Sequence, residues 1–268
     1  MDQVALIQMC SSHELEDNLR VAGELMTQAV EWGAGLIVLP ECFSFMGRNE
    51  AEKLAGREDP DNSPSLKFLQ TFALRHGVWI VGGSISISLP KSKQFANTCF
   101  VVDHEGKVQA RYDKIHLFDA NFGERQSYKE SKLINAGDQH VVVDSPFGRI
   151  GLSICYDLRF PEQYRKLTAM GATILTVPSA FTISTGHVHW EVLLRSRAIE
   201  NFCYVLAPGQ QGRHPGGRRT YGHSMIVEPW GTVLSRAPDG PGVVMARIDP
   251  KKVIDARRKI PCLDYLPS

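Results

Sequence analysis

Short β-rich runs alternate with amphipathic helical stretches along most of the chain. Residues 4–9 (V-A-L-I-Q-M) are predicted as a strand. Over 14–32, Leu15, Leu19, Ala22, Met26 and Ala29 recur at steps of four, three, four and three, which sets them on one stripe of a helix ended by Gly33. Residues 35–40 (G-L-I-V-L-P) are apolar at nearly every position, the composition of a strand buried on both faces. Ser63-Pro64, a capping residue followed by a proline suited to the first turn, opens a second helix that stops at Gly77. Strands are predicted over 78–88 and 97–102, with Asp103-His104-Glu105-Gly106 as a hairpin turn.

The pattern then repeats. Strand signals occupy 140–144 and 149–154, joined by Pro146-Phe147-Gly148. A helix from Pro161 to Met170 closes at Gly171, and 173–178 is another buried strand. A longer helix near 188–201 is followed by strands near 202–207, 222–228 and 243–248. No linker of low complexity and no repeat of fixed period interrupts this order. Two β-rich halves with helices alongside predict one α/β sandwich domain.

Composition narrows the class. With 43% hydrophobic and 22% charged residues, the 268-residue chain can bury a core, which excludes wholesale disorder. A net charge of +1 leaves no electrostatic footprint of a general nucleic-acid binder. No apolar run approaches the roughly 20 residues that span a bilayer, and Met1-Asp2-Gln3 leads into a strand rather than a signal sequence, so the expectation is a soluble, cytoplasmic protein without a membrane partner. The six cysteines (Cys10, Cys42, Cys99, Cys155, Cys203 and Cys262) are too far apart for a C-x-x-C pair and read as free thiols.

In open α/β sheets ligands gather at the carboxyl ends of strands. Two side chains there have no packing reason to be present: Glu41, after the strand 35–40, and Cys155, after 149–154. With a helix starting at Pro161, Cys155 stands on a strand-to-helix turn that can aim a thiol and the next backbone N–H groups at one reacting atom. A thiol needs a base, which Glu41 could be, and a tetrahedral intermediate needs a cation. Lys114, in Y-D-K-I-H-L-F-D (112–119), is the candidate. Taken singly, each has an ordinary alternative: a packed cysteine, a loop carboxylate, a solvated lysine.

Together L-P-E (39–41), Y-D-K-I-H-L-F-D (112–119) and C-Y-D-L-R-F-P-E (155–162) resemble the carbon–nitrogen hydrolase (nitrilase) superfamily over nearly the whole chain. The resemblance implies a four-layer α-β-β-α sandwich spanning 1–250, with 251–268 as a C-terminal helix and extended tail docking on the domain or on a partner subunit in a homodimer. It also implies a triad of Glu41 as general base, Lys114 as oxyanion-stabilising cation and Cys155 as nucleophile, with the Tyr156 backbone N–H as second oxyanion donor. An accessory glutamate falls on Glu130 in Q-S-Y-K-E-S-K-L, in preference to Glu124. No metal or organic cofactor is implied.

The stretches P-S-A-F (178–181), T-G-H-V-H-W-E-V-L-L-R-S-R-A-I-E (185–200) and Y-G-H-S-M-I-V-E-P-W-G-T-V (221–233) are most similar to the branch that hydrolyses deaminated glutathione to 2-oxoglutarate and Cys-Gly. The ω-amidases acting on 2-oxoglutaramate are also similar, and a catalytically idle scaffold is the alternative from another class. The acyl carboxylate of such substrates wants cationic or hydrogen-bonding partners, for which Arg159, His187, Arg195 and Arg197 are candidates. His187-x-His189 lacks a third ligand and reads as cleft lining rather than a metal site. Gly82-Gly83 and Gly216-Gly217 read as ordinary turns, and Arg213, Arg218 and Arg219 as a solvated loop or an anion-attracting rim.

Overall fold

A computed structural model describes residues 3–121 and 127–265. The first half of the chain forms strands β1 (Gln3–Gln8), β2 (Leu36–Val38), β3 (Trp79–Val81), β4 (Ile85–Ser88), β5 (Phe95–Val102) and β6 (Val108–Asp113), with helices α1 (Leu15–Glu31), α2 (Glu50–Ala55) and α3 (Pro64–His76). A small hairpin, β7 (Asp119–Asn121) with β8 (Ser127–Lys129), follows. The second half forms β9 (Val142–Ser145), β10 (Gly148–Leu152), β11 (Ile174–Thr176), β12 (Tyr204–Ala207), a hairpin of β13 (Gln211–Arg213) and β14 (Arg219–Tyr221), then β15 (Met225–Val227), β16 (Val233–Arg236) and β17 (Gly242–Arg247). Its helices are α4 (Pro161–Ala169), α5 (Ile183–Asn201) and α6 (Pro250–Lys259).

Two main sheets result. One has the order β17-β1-β2-β3-β5-β4, with β6 beside β5, and the other the order β16-β15-β12-β11-β10-β9. The two halves of the sequence are not quite the two sheets, because β17 crosses back to pair antiparallel with β1, from Gln3↔Arg247 to Gln8↔Gly242. Alternation along β1 shows the layering: Ala5 and Ile7 pack with Met26, Leu69 and Phe72 of α1 and α3, while Val4 and Leu6 face the cluster that holds Ile150, Leu152 and Leu175 of the other sheet. Trp190 and Leu194 of α5, with Tyr164 and Leu167 of α4, join that cluster from the far side. Helix, sheet, sheet and helix thus form four layers.

The helix signals act as read. Ser63 accepts a hydrogen bond from Leu66 N–H, and Gly77 closes α3 at φ 65°. Three readings change. The predicted strand 78–88 breaks at Gly82-Gly83 into β3 and β4. Helix α2 was not anticipated because it buries none of its residues and so carries no apolar stripe. Helix α5 starts at Ile183 rather than 188, since Gly186 and the hydroxyl residues of its first turn hide a helix in which Gly186 lets the backbone approach the Tyr221 ring.

Past β17, α6 packs on its own subunit through Val253 and Ala256, and Arg257 donates to Ala172 O at 2.7 Å. The described part of the tail is not extended: Cys262–Tyr265 coil into a single turn of 3-10 helix. Leu266 and Pro267 lie outside the described residues, as does Glu124. Among the described residues no helix is long and apolar enough to cross a membrane.

Candidate active site

Strand β2 delivers Glu41 to the carboxyl edge of the first sheet, where the residue is 2% exposed. A buried carboxylate needs its lone pairs filled. Oε1 accepts from Lys114 Nζ at 2.9 Å and Asn97 Nδ2 at 3.1 Å, and Oε2 accepts from Ala180 N–H at 2.9 Å. The loop that carries it is held from both sides. Asn18 of α1 donates to Ser12 O and Ser44 O, and Gly83 lies so close beneath that a Cβ there would sit 2.1 Å from Pro40 O. Gly83, at φ 56°, is therefore a required close approach rather than an ordinary turn glycine.

Lys114 follows β6 and is 1% exposed. Its Nζ lies 2.9 Å from Glu41 Oε1 and 2.9 Å from Glu130 Oε2. Glu130 is fastened in turn by Phe118 N–H, which donates to Oε2 at 2.8 Å. An ammonium has three donors, so two are used here and one is left for a further acceptor.

Cys155 leaves the end of β10 in a left-handed conformation, φ 49°, with its N–H donating to Pro178 O at 2.9 Å. A non-glycine residue holds that conformation only where its surroundings enforce it. Asp157 is one such restraint. Its Oδ2 accepts from Tyr112 OH at 2.6 Å and Ile154 N–H at 2.8 Å, and its Oδ1 from His116 N–H at 3.0 Å. One buried carboxylate therefore ties the turn bearing Cys155 to the segment bearing Lys114. Tyr156 is the second residue of the 3-10 turn Cys155–Arg159, where the first amide groups have no acceptor within the helix.

The electrostatics follow from burial and these partners. Burial pushes the Glu41 carboxyl up, but the charges of Lys114 and Arg218, with hydrogen bonds from Lys114 and the Cys155 thiol, more than offset it and hold the group below the ordinary carboxylate value. Burial would strip the Lys114 proton, yet the Glu130 and Glu41 charges hold it well above the ordinary lysine value. Burial, then the Glu41 charge, push the Cys155 thiol well above its ordinary value, against the pull of Lys114. The resting site is thus carboxylate, ammonium and neutral thiol.

Two cavities share the wall of Phe118, Glu130 and Arg218. A slot of about 10 Å³, lined by Cys155, Tyr156, Arg159 and Phe181, has the space of a single water. Beyond the wall lies a cavity of about 200 Å³ lined by Cys42, Phe45, Asn97 and Tyr128.

Of the predicted residues, the structure brings Glu41, Lys114, Cys155, Tyr156, Glu130 and Arg159 together. Arg159 lines the slot, with both terminal nitrogens 3.3 Å from His189 Nδ1. The other three candidate substrate ligands are elsewhere. His187 is exposed and meets the Tyr221 ring edge-on. Arg195 donates to Gly231 O on the outer face of α5. Arg197 is buried and spent on structure: its Nε and Nη2 donate to Leu158 O, and it pairs with Glu200. The adjacent helix positions that suggested these residues turn their side chains to different faces, which spacing in sequence alone does not order. Sequence reasoning missed Asn97, Asp157 and the inward position of Arg218. The D of C-Y-D was visible within the motif, whereas Asn97 had no signal beyond a polar residue in a buried strand. Among the described residues, no group of three His, Cys, Asp or Glu is placed to hold a metal ion.

A sandwich carrying a buried Glu, Lys and Cys at its sheet ends agrees with the family comparison: the carbon-nitrogen hydrolase model matches residues 3–258, and the chain belongs to that family. Within it, the chain is 44% identical over 264 residues to a deaminated glutathione amidase of Synechocystis sp., covering 97% of this chain and 96% of the relative. It is 41% identical to the deaminated glutathione amidase of Mus musculus, over 98% of this chain and 82% of the relative. The crystal structure of the C. elegans NitFhit protein superposes with a TM-score of 0.92 at 38% identity, covering 99% of this chain. The chain spans 65% of that protein.

Proposed function

We propose that this protein is an amidase that hydrolyses deaminated glutathione to 2-oxoglutarate and Cys-Gly through a thioester on Cys155. The observation that carries the reading is the contact of one lysine with two carboxylates beside a strained cysteine. Because the thiol rests neutral against the Glu41 carboxylate, attack and proton transfer go together: sulfur bonds to the amide carbon while Glu41 takes the proton. The oxyanion meets the remaining Lys114 donor and the Tyr156 N–H. Collapse breaks the C–N bond as Glu41 returns the proton to the departing amine. Glu41 then deprotonates a water, held also by Glu130, and its attack on the thioester releases the acid and restores the thiol.

The substrate rests on the two amidases of that name, and the neighbouring reading, an ω-amidase acting on 2-oxoglutaramate, shares the acyl half. Intact-mass detection of a substrate-derived thioester on the unaltered protein, absent from Cys155→Ala, tests the chemistry. Retention of substantial activity in Cys155→Ala would overturn it. A side-by-side kcat/KM on the two amides tests the substrate: equal or greater efficiency on 2-oxoglutaramate would favour the ω-amidase.

The assembly we propose is a two-fold homodimer. Val188, Val192 and Ile199 stand exposed on one face of α5, at helical spacing. Gly231 lies against Ile199, and Trp230 stacks on Phe202 with Lys259 of α6 over its ring, so helix α5, the 228–231 turn and the end of α6 form one face whose apolar groups surround the Arg195–Glu191 pair. A cytoplasmic location fits six unpaired cysteines.

A further inference from the structure

The three arginines of the 212–219 loop part company in the fold. Arg213 and Arg219 point to solvent, whereas Arg218 turns inward to the wall shared by both cavities. Its Nη2 donates to Ala180 O at 2.8 Å, the residue whose N–H holds Glu41, and its guanidinium lies 6.0 Å from the centre of the Tyr128 ring. Its Nε is buried and, among the described residues, has no acceptor. No carboxylate of the described residues is within ion-pair distance, although Glu41, Cys155 and Glu130 all lie near enough to feel its charge.

The arm that holds it is rigid. His214 N–H donates to Arg218 O at 2.8 Å, and the buried His214 ring bonds to Ser11 O and Thr220 Oγ1. Gly216, at φ 77°, passes so close to the 48–49 segment that a Cβ would fall 2.4 Å from Arg48 O. On a half-buried, preorganised guanidinium, a buried Nε–H with no acceptor is costly unless something occupies it, and the planar fork suits a carboxylate. An acyl chain whose carboxylate lies four bonds from the amide carbon spans about 5 Å when extended, a reach suited to neighbours around one nucleophile. Arg159, the other arginine at the slot, already directs both terminal nitrogens at His189.

We propose that Arg218 is the specificity-determining residue of this site, pairing with a carboxylate at the far end of the acyl group and so selecting monoamides of dicarboxylic acids over neutral amides. This deepens the amidase reading and rests on it. The test compares kcat/KM on glutaramate and on pentanamide, a neutral amide of the same chain length, for the unaltered protein, Arg218→Met and Arg218→Lys. The ratio of glutaramate to pentanamide efficiency is expected to fall about 100-fold in Arg218→Met, and about tenfold in Arg218→Lys, which keeps the charge but not the fork. Losses that are equal on both amides leave the ratio unchanged and overturn the proposal, making Arg218 only a counter-charge to Glu41 and Glu130. Calorimetric binding of glutarate to the same three proteins gives a readout without turnover: weaker binding in both variants is expected, and unchanged affinity overturns the proposal. If the unaltered protein cleaves neither amide, the glutarate measurement alone decides Arg218, and the amidase reading is decided separately by thioester formation from deaminated glutathione.

Discussion

Lys114 keeps its proton where burial alone would remove it, because carboxylates stand 2.9 Å away on two sides. The same arrangement keeps Glu41 ionised and Cys155 protonated, so in the proposed mechanism the pH dependence of thioester formation is set by Glu41. A carboxyl held below its ordinary value of 4.5 remains a competent base above that pH and fails as pH falls through its lower folded value. Single-turnover thioester formation is therefore expected to be flat from about pH 6 to pH 9. A tenfold or greater rise over that window, tracking thiol ionisation, would contradict the neutral-thiol mechanism. Asn97→Ala removes one donor from the Glu41 carboxylate, which disfavours the charged form. It should move the acid limb of the pH–rate profile upward and slow turnover by roughly ten- to a hundredfold. If Glu41 and Lys114 act as proposed, Glu41→Gln and Lys114→Ala should each cost several orders of magnitude in turnover. Iodoacetamide alkylation is a poor reporter here, since Cys262 is exposed while Cys155 is buried.

Among the elements, the strand-to-turn junctions hold the strain. The turn after β10 keeps Cys155 at φ 49° by attaching itself to the segment after β6 through Asp157, which is fully buried and accepts from Tyr112, His116 and Ile154. Asp157→Ala leaves those donors unsatisfied in the core and should lower the unfolding free energy by about 3 kcal/mol, read as a shifted urea midpoint with unchanged slope. Activity should fall with it even where the variant is folded, since the thiol loses its placement relative to Lys114. Arg197 works from the other side of the same turn, its guanidinium binding Leu158 O from α5. A residue that looked like a substrate ligand is in this way part of the frame that positions Cys155, the proposed nucleophile.

At the scale of the whole molecule, the outer face of α5 is the proposed dimer contact. Val188 and Val192, at 63% and 64% exposed, are unusual on a helix whose opposite side buries Trp190 and Leu194. Sedimentation of the full chain at micromolar concentration is expected to give a dimer, and Val192→Glu should shift it to monomer without altering its circular dichroism. A monomeric full chain under those conditions would end the dimer reading and leave the chemistry at Cys155 untouched.

Much of this was legible in the residues themselves. Apolar periodicity marked α1, because a face buried in the core leaves its period in the sequence, while proline and glycine at their ends marked α3 and α4 and apolar runs marked most of both sheets. Glu41 and Cys155 stood out as polar groups at the ends of buried strands, and Lys114 as a cation among apolar neighbours. Helix α2 escaped because it buries nothing, and the start of α5 because Gly186 serves contact with Tyr221 rather than helix propensity. Only the folded chain could separate Arg218 from Arg213 and Arg219, or Arg159 from Arg195 and Arg197. Residues of one chemical type at close spacing are equivalent until packing sends one inward and another to water. The chain's local order determines which elements form and which chemical groups stand at their ends. The distance from Glu41 to Lys114 arises only when β2 and β6 join one sheet, and those from Glu41 to Ala180 and Arg218 only when the second half of the chain packs against that sheet and buries the charges together.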